Sequence, residues 1–152
     1  MLDAAARDGA YEGHIVNTAS MAGLLNPPNM GVYNVSKHAV VSLTETLYQD
    51  LSLVTDRISA SVLCPFFVPT GIHSSFRNRP SEASDSAAKP TRSQRVAQAM
   101  VSKAVEGGKV SPAQAAGFVF VALRERRFYF YSHPQAIGSV QTRLEDIMMA
   151  RN

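Results

Sequence analysis

Tryptophan is absent from this 152-residue sequence, and cysteine occurs once, at Cys64. A lone cysteine excludes an internal disulfide and any cysteine-based zinc cluster. The surplus of 15 Lys+Arg over 12 Asp+Glu is +3. It is scattered along the chain, with no basic arm or stripe of the kind nucleic-acid binding asks for. No apolar run approaches the roughly 18 residues of a membrane span. The opening residues, MLDAAARDGAYEG, hold neither the charged region nor the apolar core of a secretory signal. His14, His38, His73 and His133 lack metal-ligand spacing, so they read as structural or surface groups and no metal is expected. These absences predict neither a nucleic-acid nor a membrane partner, and a cytoplasmic protein of a reducing compartment.

What is present suits a folded domain: 45% hydrophobic and 18% charged residues can fill a core. Met1–Asp8 reads as the tail of a helix. His14–Ala19 is a short β-branched run of strand length. GLLNPPNMG (23–31) is loop material, because its paired prolines exclude a helix. From Val32 the period changes. Val35, Ala39, Val40, Leu43, Leu47 and Leu51 predict an amphipathic helix to about Leu53, with a second stripe left exposed. Ile58–Cys64 is the second strand, ended by Pro65. Residues 71–92 are polar and predict a surface loop or lid. Arg77, Arg79, Lys89 and Arg92 within it read as solvated charges, the alternative being that they hold an anionic substrate or phosphate.

A helix is expected over 93–106. Ser111 and Gln114 form a capping box that starts another, with Pro112 at its first position; that helix ends near Arg126-Arg127. Phe128–Tyr131 is the third strand and 135–150 the last helix. Strands alternating with helices predict an α/β fold with parallel strands covered on both faces.

Ser20 lies just past the first strand, and Tyr33 and Lys37 lie one turn apart at the start of the long helix. In an open parallel sheet, ligands bind outside the carboxyl ends of strands. Ser20 and the Pro65–Thr70 segment both fall there. The set suits proton transfer at an alcohol or carbonyl. A free phenol ionises near pH 10, and a lysine ammonium one turn away favours its phenolate. A serine hydroxyl nearby can hold the substrate oxygen. Tyr33 then acts as acid or base, Lys37 tunes it, and Ser20 orients the substrate. By chance, a Tyr-x-x-x-Lys with a serine 13 residues upstream arises on the order of 1% of the time in such a composition. Met21, Leu24, Leu25 and Met30 could line an apolar pocket or simply pack the core. Cys64 reads as a small buried hydrophobe.

The segment GHIVNTASMAGLLNPPNMGVYNVSKHAVVSLTETLYQDL resembles the active-site half of a short-chain dehydrogenase/reductase. The resemblance implies a Rossmann-like doubly wound parallel sheet, present as its C-terminal half with about three strands and flanking helices. It implies NAD(P)-dependent hydride transfer between a nicotinamide cofactor (NAD or NADP) and a small-molecule alcohol or carbonyl substrate. Ser20, Tyr33 and Lys37 match the family's catalytic core, and Lys37 also holds the nicotinamide ribose. VLCPFFVPT (62–70) resembles the family's P-G-x-x-x-T loop. This places Pro65, Phe66, Val68 and Thr70 with Tyr33 and Lys37 in the cofactor set, the Val68 backbone and Thr70 facing the carboxamide. Phe66 stands where the family has glycine. No G-x-G-x-x-G or G-x-x-x-G-x-G run occurs.

Residues 1–152 are therefore expected to form a single partial dinucleotide-binding domain lacking the glycine-rich N-terminal half. Alone, the chain is expected to turn over weakly or not at all. The resemblance also implies a homo-oligomer through the helix of residues 32–53. A non-catalytic remnant that folds and self-associates through the unpaired edge of its first strand is the alternative.

Overall fold

The structure, a computed structural model, describes residues 1–78, 80 and 89–151. Arg79 and residues 81–88 of the polar segment lie outside them. The chain forms two compact units, Met1–Phe66 with Ala116–Asn152, and Phe67–Ala115.

The first unit is built on three parallel strands in the order β1-β2-β3: β1 (Gly13–Thr18), β2 (Ile58–Cys64) and β3 (Tyr129–Tyr131). Gly13 pairs with Ile58 and Thr18 with Leu63, while Val62 faces Tyr129 across the second ladder. β2 is central, and its run of small and β-branched residues suits a strand covered on both sides.

Alternation along β2 sorts the two faces. Ile58, Ala60, Val62 and Cys64 belong to one side, packed with Val41 and Leu51 of α2 (Gly31–Val54) and Ala5 of α1 (Leu2–Arg7). Leu63 belongs to the other, packed with Phe130, Val16 and Ala122, the last on α4 (Pro112–Arg124). Ser61 shares that second side. It is fully buried and satisfied, donating to the Arg127 carbonyl at 2.8 Å and lying 2.6 Å from His14 Nε2. Arg57 ties down the end of α1: its Nη2 donates to the Ala5 carbonyl at 2.6 Å and its Nη1 to the carbonyl of the cap residue Asp8 at 2.8 Å.

α2 turns only part of the face its apolar spacing marks towards the core: Leu51 is buried and Val40 and Leu47 pack against the core clusters. Asn34, Val41, Thr44 and Leu51 are its buried residues, while Val35 and Leu43 are 71% and 65% exposed and Ala39 is also exposed. Two polar residues hide the buried stripe from a hydrophobicity pattern. Thr44 tolerates full burial because its hydroxyl donates to the Val40 carbonyl (2.6 Å) and accepts from Asn17 Nδ2 (3.0 Å).

The second unit contains a 3-10 stretch, Gly71–Asn78, where a loop is expected, and α3 (Arg92–Glu106). His73 Nε2 lies 3.8 Å from Glu106 Oε1. α3 opens on a capping box between Thr91 and Gln94. The same device opens α4, where the Ser111 amide donates to Gln114 Oε1 (2.8 Å) and the Gln114 amide to Ser111 Oγ (3.2 Å). A 3-10 turn, Pro134–Ala136, leads into the final helix α5 (Ile137–Met148). Among the described residues no helix is long and apolar enough to cross a membrane.

Candidate active site

The carboxyl ends of β1 and β2 are stitched together past the ladder. The Ala19 amide donates to the Leu63 carbonyl (2.8 Å) and the Met21 amide to the Pro65 carbonyl (2.9 Å). Ser20 sits between them in extended backbone and caps the 3-10 turn Met21–Gly23, its Oγ accepting from the Ala22 amide at 3.2 Å. The same hydroxyl donates to the Pro65 carbonyl at 3.4 Å. Ser20 and Pro65, read from sequence as members of one site, are therefore neighbours.

Tyr33 and Lys37 occupy the first two turns of α2, both half-buried. Lys37 Nζ lies 5.6 Å from the centre of the Tyr33 ring, within cation–π range. It also donates to the Thr18 carbonyl at 3.2 Å. Lys37 thus bridges the end of β1 and the Tyr33 ring, two residues along the chain from Ser20. An ammonium carries three N–H groups, so with Thr18 served, two remain for other acceptors. That donor set fits a ribose diol. Thr18 has no sequence signal of its own, because it contributes only backbone.

Between Ser20 and Tyr33 the chain returns to α2 by close packing. A β-carbon at Gly23 would lie 2.6 Å from the Lys37 carbonyl oxygen and 2.9 Å from Val41 Cγ2. Only glycine admits that approach. Met21 is 1% exposed in the core, with Leu24 and Leu25 packed against the same cluster. Core packing therefore accounts for these three residues, and Met30 is half-buried.

Phe66, in the position of the family's glycine, is partly exposed. Its ring meets His133 edge-on at 5.7 Å, and its amide donates to Ser132 Oγ at 3.0 Å. Val68 is buried and Thr70 exposed; both belong to the second unit. Cys64 is fully buried, and burial pushes its thiol up to about 12, the opposite of an activated thiolate. Burial, and then the hydrogen bond it gives Glu45 Oε1, hold the Tyr129 phenol well above its ordinary value. Tyr129 is thus kept protonated. Burial lowers His14, with Arg126 adding to the effect.

A family profile described as short chain dehydrogenase matches residues 2–81, more than half of the chain. The protein belongs to this family of oxidoreductases, whose general reaction is NAD(P)-dependent hydride transfer on small molecules. A short-chain dehydrogenase/reductase from Burkholderia phymatum, solved in complex with NAD, is 52% identical, with a TM-score of 0.88 over 93% of this chain and 50% of its own. The CLA biosynthesis dehydrogenase/reductase of Lactiplantibacillus plantarum is 33% identical over 136 residues, 88% of this chain and 47% of its own length. A putative short-chain dehydrogenase from Novosphingobium aromaticivorans shares the fold, with a TM-score of 0.59 at 23% identity, over 99% of this chain and 42% of its own. The chain spans about half the length of these relatives or less.

Proposed function

We propose that Ser20, Tyr33 and Lys37 form the proton-transfer centre of an NAD(P)-dependent oxidoreductase acting on an alcohol or carbonyl. The observation that carries this reading is Lys37 Nζ, held between the Thr18 carbonyl and the Tyr33 ring. When bound, the nicotinamide supplies or accepts the hydride. The chain's own residues do the rest. Ser20 Oγ turns from the Pro65 carbonyl to the substrate oxygen and holds it. Tyr33 gives that oxygen a proton, or takes one from it, and the Lys37 charge steadies the phenolate. The two remaining Lys37 protons and the Tyr33 hydroxyl hold the ribose diol. Pro65, Phe66, Val68 and Thr70 join the cofactor set on the strength of the sequence resemblance. The pyrophosphate has no glycine-rich turn to rest on in this sequence, so residues 1–152 are read as one partial dinucleotide-binding domain.

Titration with nicotinamide mononucleotide, which needs no such turn, tests the ribose end directly. Shifts of the Tyr33 and Lys37 resonances that disappear in Lys37→Ala are expected. Binding that leaves both residues untouched overturns the assignment. Turnover by the 152-residue chain alone is expected to be weak or absent.

A second reading has its own observation: β1 is an outer strand, pairing only with β2 among the described strands. An open edge of this kind templates self-association, and a non-catalytic self-associating module follows. A concentration-dependent increase in apparent mass on size exclusion, with no nucleotide effect at Tyr33, favours it. Members of the family commonly form oligomers. In the enzyme reading we place that contact on the outward stripe of α2, residues 32–53, where Val32 is 89% exposed. A single buried cysteine suits the reducing cytoplasm, which we propose as the location.

A further inference from the structure

Asn34 follows Tyr33 in α2 and is 7% exposed, an unusual setting for an amide. Its backbone N–H donates to the Met30 carbonyl at 2.7 Å and its Nδ2 to the Pro27 carbonyl at 2.9 Å. One turn on, His38 Nδ1 lies 3.0 Å from the Asn34 carbonyl. A carbonyl only accepts, so Nδ1 carries a proton, and in that tautomer Nε2 is an acceptor. Asn34 Oδ1 and His38 Nε2 are both buried without a hydrogen-bond partner among the described residues. Two buried acceptors one helical turn apart each need a donor and lie within reach of a shared one, and a water has two protons to give.

We propose that Asn34 is a positioning residue for Tyr33, bolting the loop of residues 24–30 to the first turn of α2, with a buried water donating to Asn34 Oδ1 and His38 Nε2. This rests on the reading of Tyr33 as the proton-transferring group. The loop is the covalent link from Ser20 to Tyr33, so pinning it sets how the two hydroxyls face the substrate oxygen. Two further ties act on the same link. Gly23 packs on the Lys37 carbonyl. Asn26, with its amide oxygen turned to the guanidinium, accepts from Arg143 Nε (3.1 Å) and Nη2 (3.3 Å). Asn34 is the tie adjoining Tyr33 itself.

The test follows the Tyr33 ring directly, in chain labelled at tyrosine Cζ, with signals assigned by single Tyr→Phe variants. In folded Asn34→Leu the Tyr33 signal is expected to shift or split. Tyr11, packed with Ala5 and Leu51, is expected to stay where it is. An unmoved Tyr33 signal overturns the proposal. If Asn34→Leu does not fold, the unaltered chain decides. Its Asn34 side-chain amide protons are expected to exchange slowly and to show a contact with a long-lived water, and exchange at the free-solvent rate overturns the proposal. In a preparation that turns over, kcat is expected to fall about 10- to 100-fold with the cofactor KM unchanged. Where the wild-type chain shows no turnover, as expected of residues 1–152 alone, the ring-signal result decides the positioning role, and the nicotinamide mononucleotide titration decides the reading of Tyr33.

Discussion

Gly23 and Lys37 meet backbone to backbone: a β-carbon on the glycine would come within 2.6 Å of the lysine carbonyl. The turn that Ser20 caps is thereby pressed onto the helix that carries Tyr33. Gly23→Ala must push the two apart, and overpacking of this kind costs about 1–3 kcal/mol. Urea unfolding should show that loss, together with weaker nicotinamide mononucleotide binding as Lys37 leaves Thr18. A fully stable Gly23→Ala chain would mean that the contact is looser than the geometry states.

Tyr33→Phe keeps the ring beside Lys37 and removes only the hydroxyl. In a preparation that turns over, the rate should fall about 10²- to 10⁴-fold with the far-ultraviolet circular dichroism unchanged. Lys37→Ala should lower the rate and raise the cofactor KM more than Tyr33→Phe does, because the ammonium steadies the phenol and offers the ribose two donors against the phenol's one. Equal effects of the two variants on the cofactor KM would count against that division of roles.

How much of this was legible beforehand differs from residue to residue. Ile58–Cys64 matches its strand end to end, because a run of small and β-branched residues closed by Pro65 leaves little choice. The Ser111–Gln114 capping box was legible for the same local reason. The equivalent box at Thr91–Gln94 carries the same spacing but is masked by the polar segment that leads into it. Asn34 and Thr44 were invisible because hydrophobic periodicity cannot register a polar side chain buried by its hydrogen bonds. Gly23 read as a loop residue, since its reason for being glycine lies fourteen positions away, at Lys37. The four-residue spacing of Tyr33 and Lys37 anticipates their contact on α2, but no residue type marks the Thr18 carbonyl that anchors the lysine.

Alkaline stability follows from Cys64. Its thiol ionises near 9.0 when unfolded and near 12 when buried. The folded state therefore resists ionisation, and the stability this represents is complete below pH 9 and lost as pH rises towards 12. Tyr129, also raised by burial and by Glu45, acts in the same sense at somewhat higher pH. Denaturant midpoints measured from pH 8 to 11 should fall for the native chain and fall less steeply for Cys64→Ala.

The acid side carries a contribution from His14, whose folded value is lowered by burial and then by Arg126. The unfolded imidazole takes its proton first, so the stabilisation is present above about pH 6.5 and declines as pH falls below it. His14→Gln should flatten the denaturant midpoint between pH 7 and 5. An unchanged slope would show that His14 titrates alike in both states.

The burial of the single thiol has a practical consequence. The native chain offers maleimides and spin labels no accessible target, so any cysteine placed on its surface becomes the sole point of attachment. Leu53, 83% exposed near the end of α2, is one such position. A distance measured there between labelled copies would report the geometry of assembly with no background to subtract.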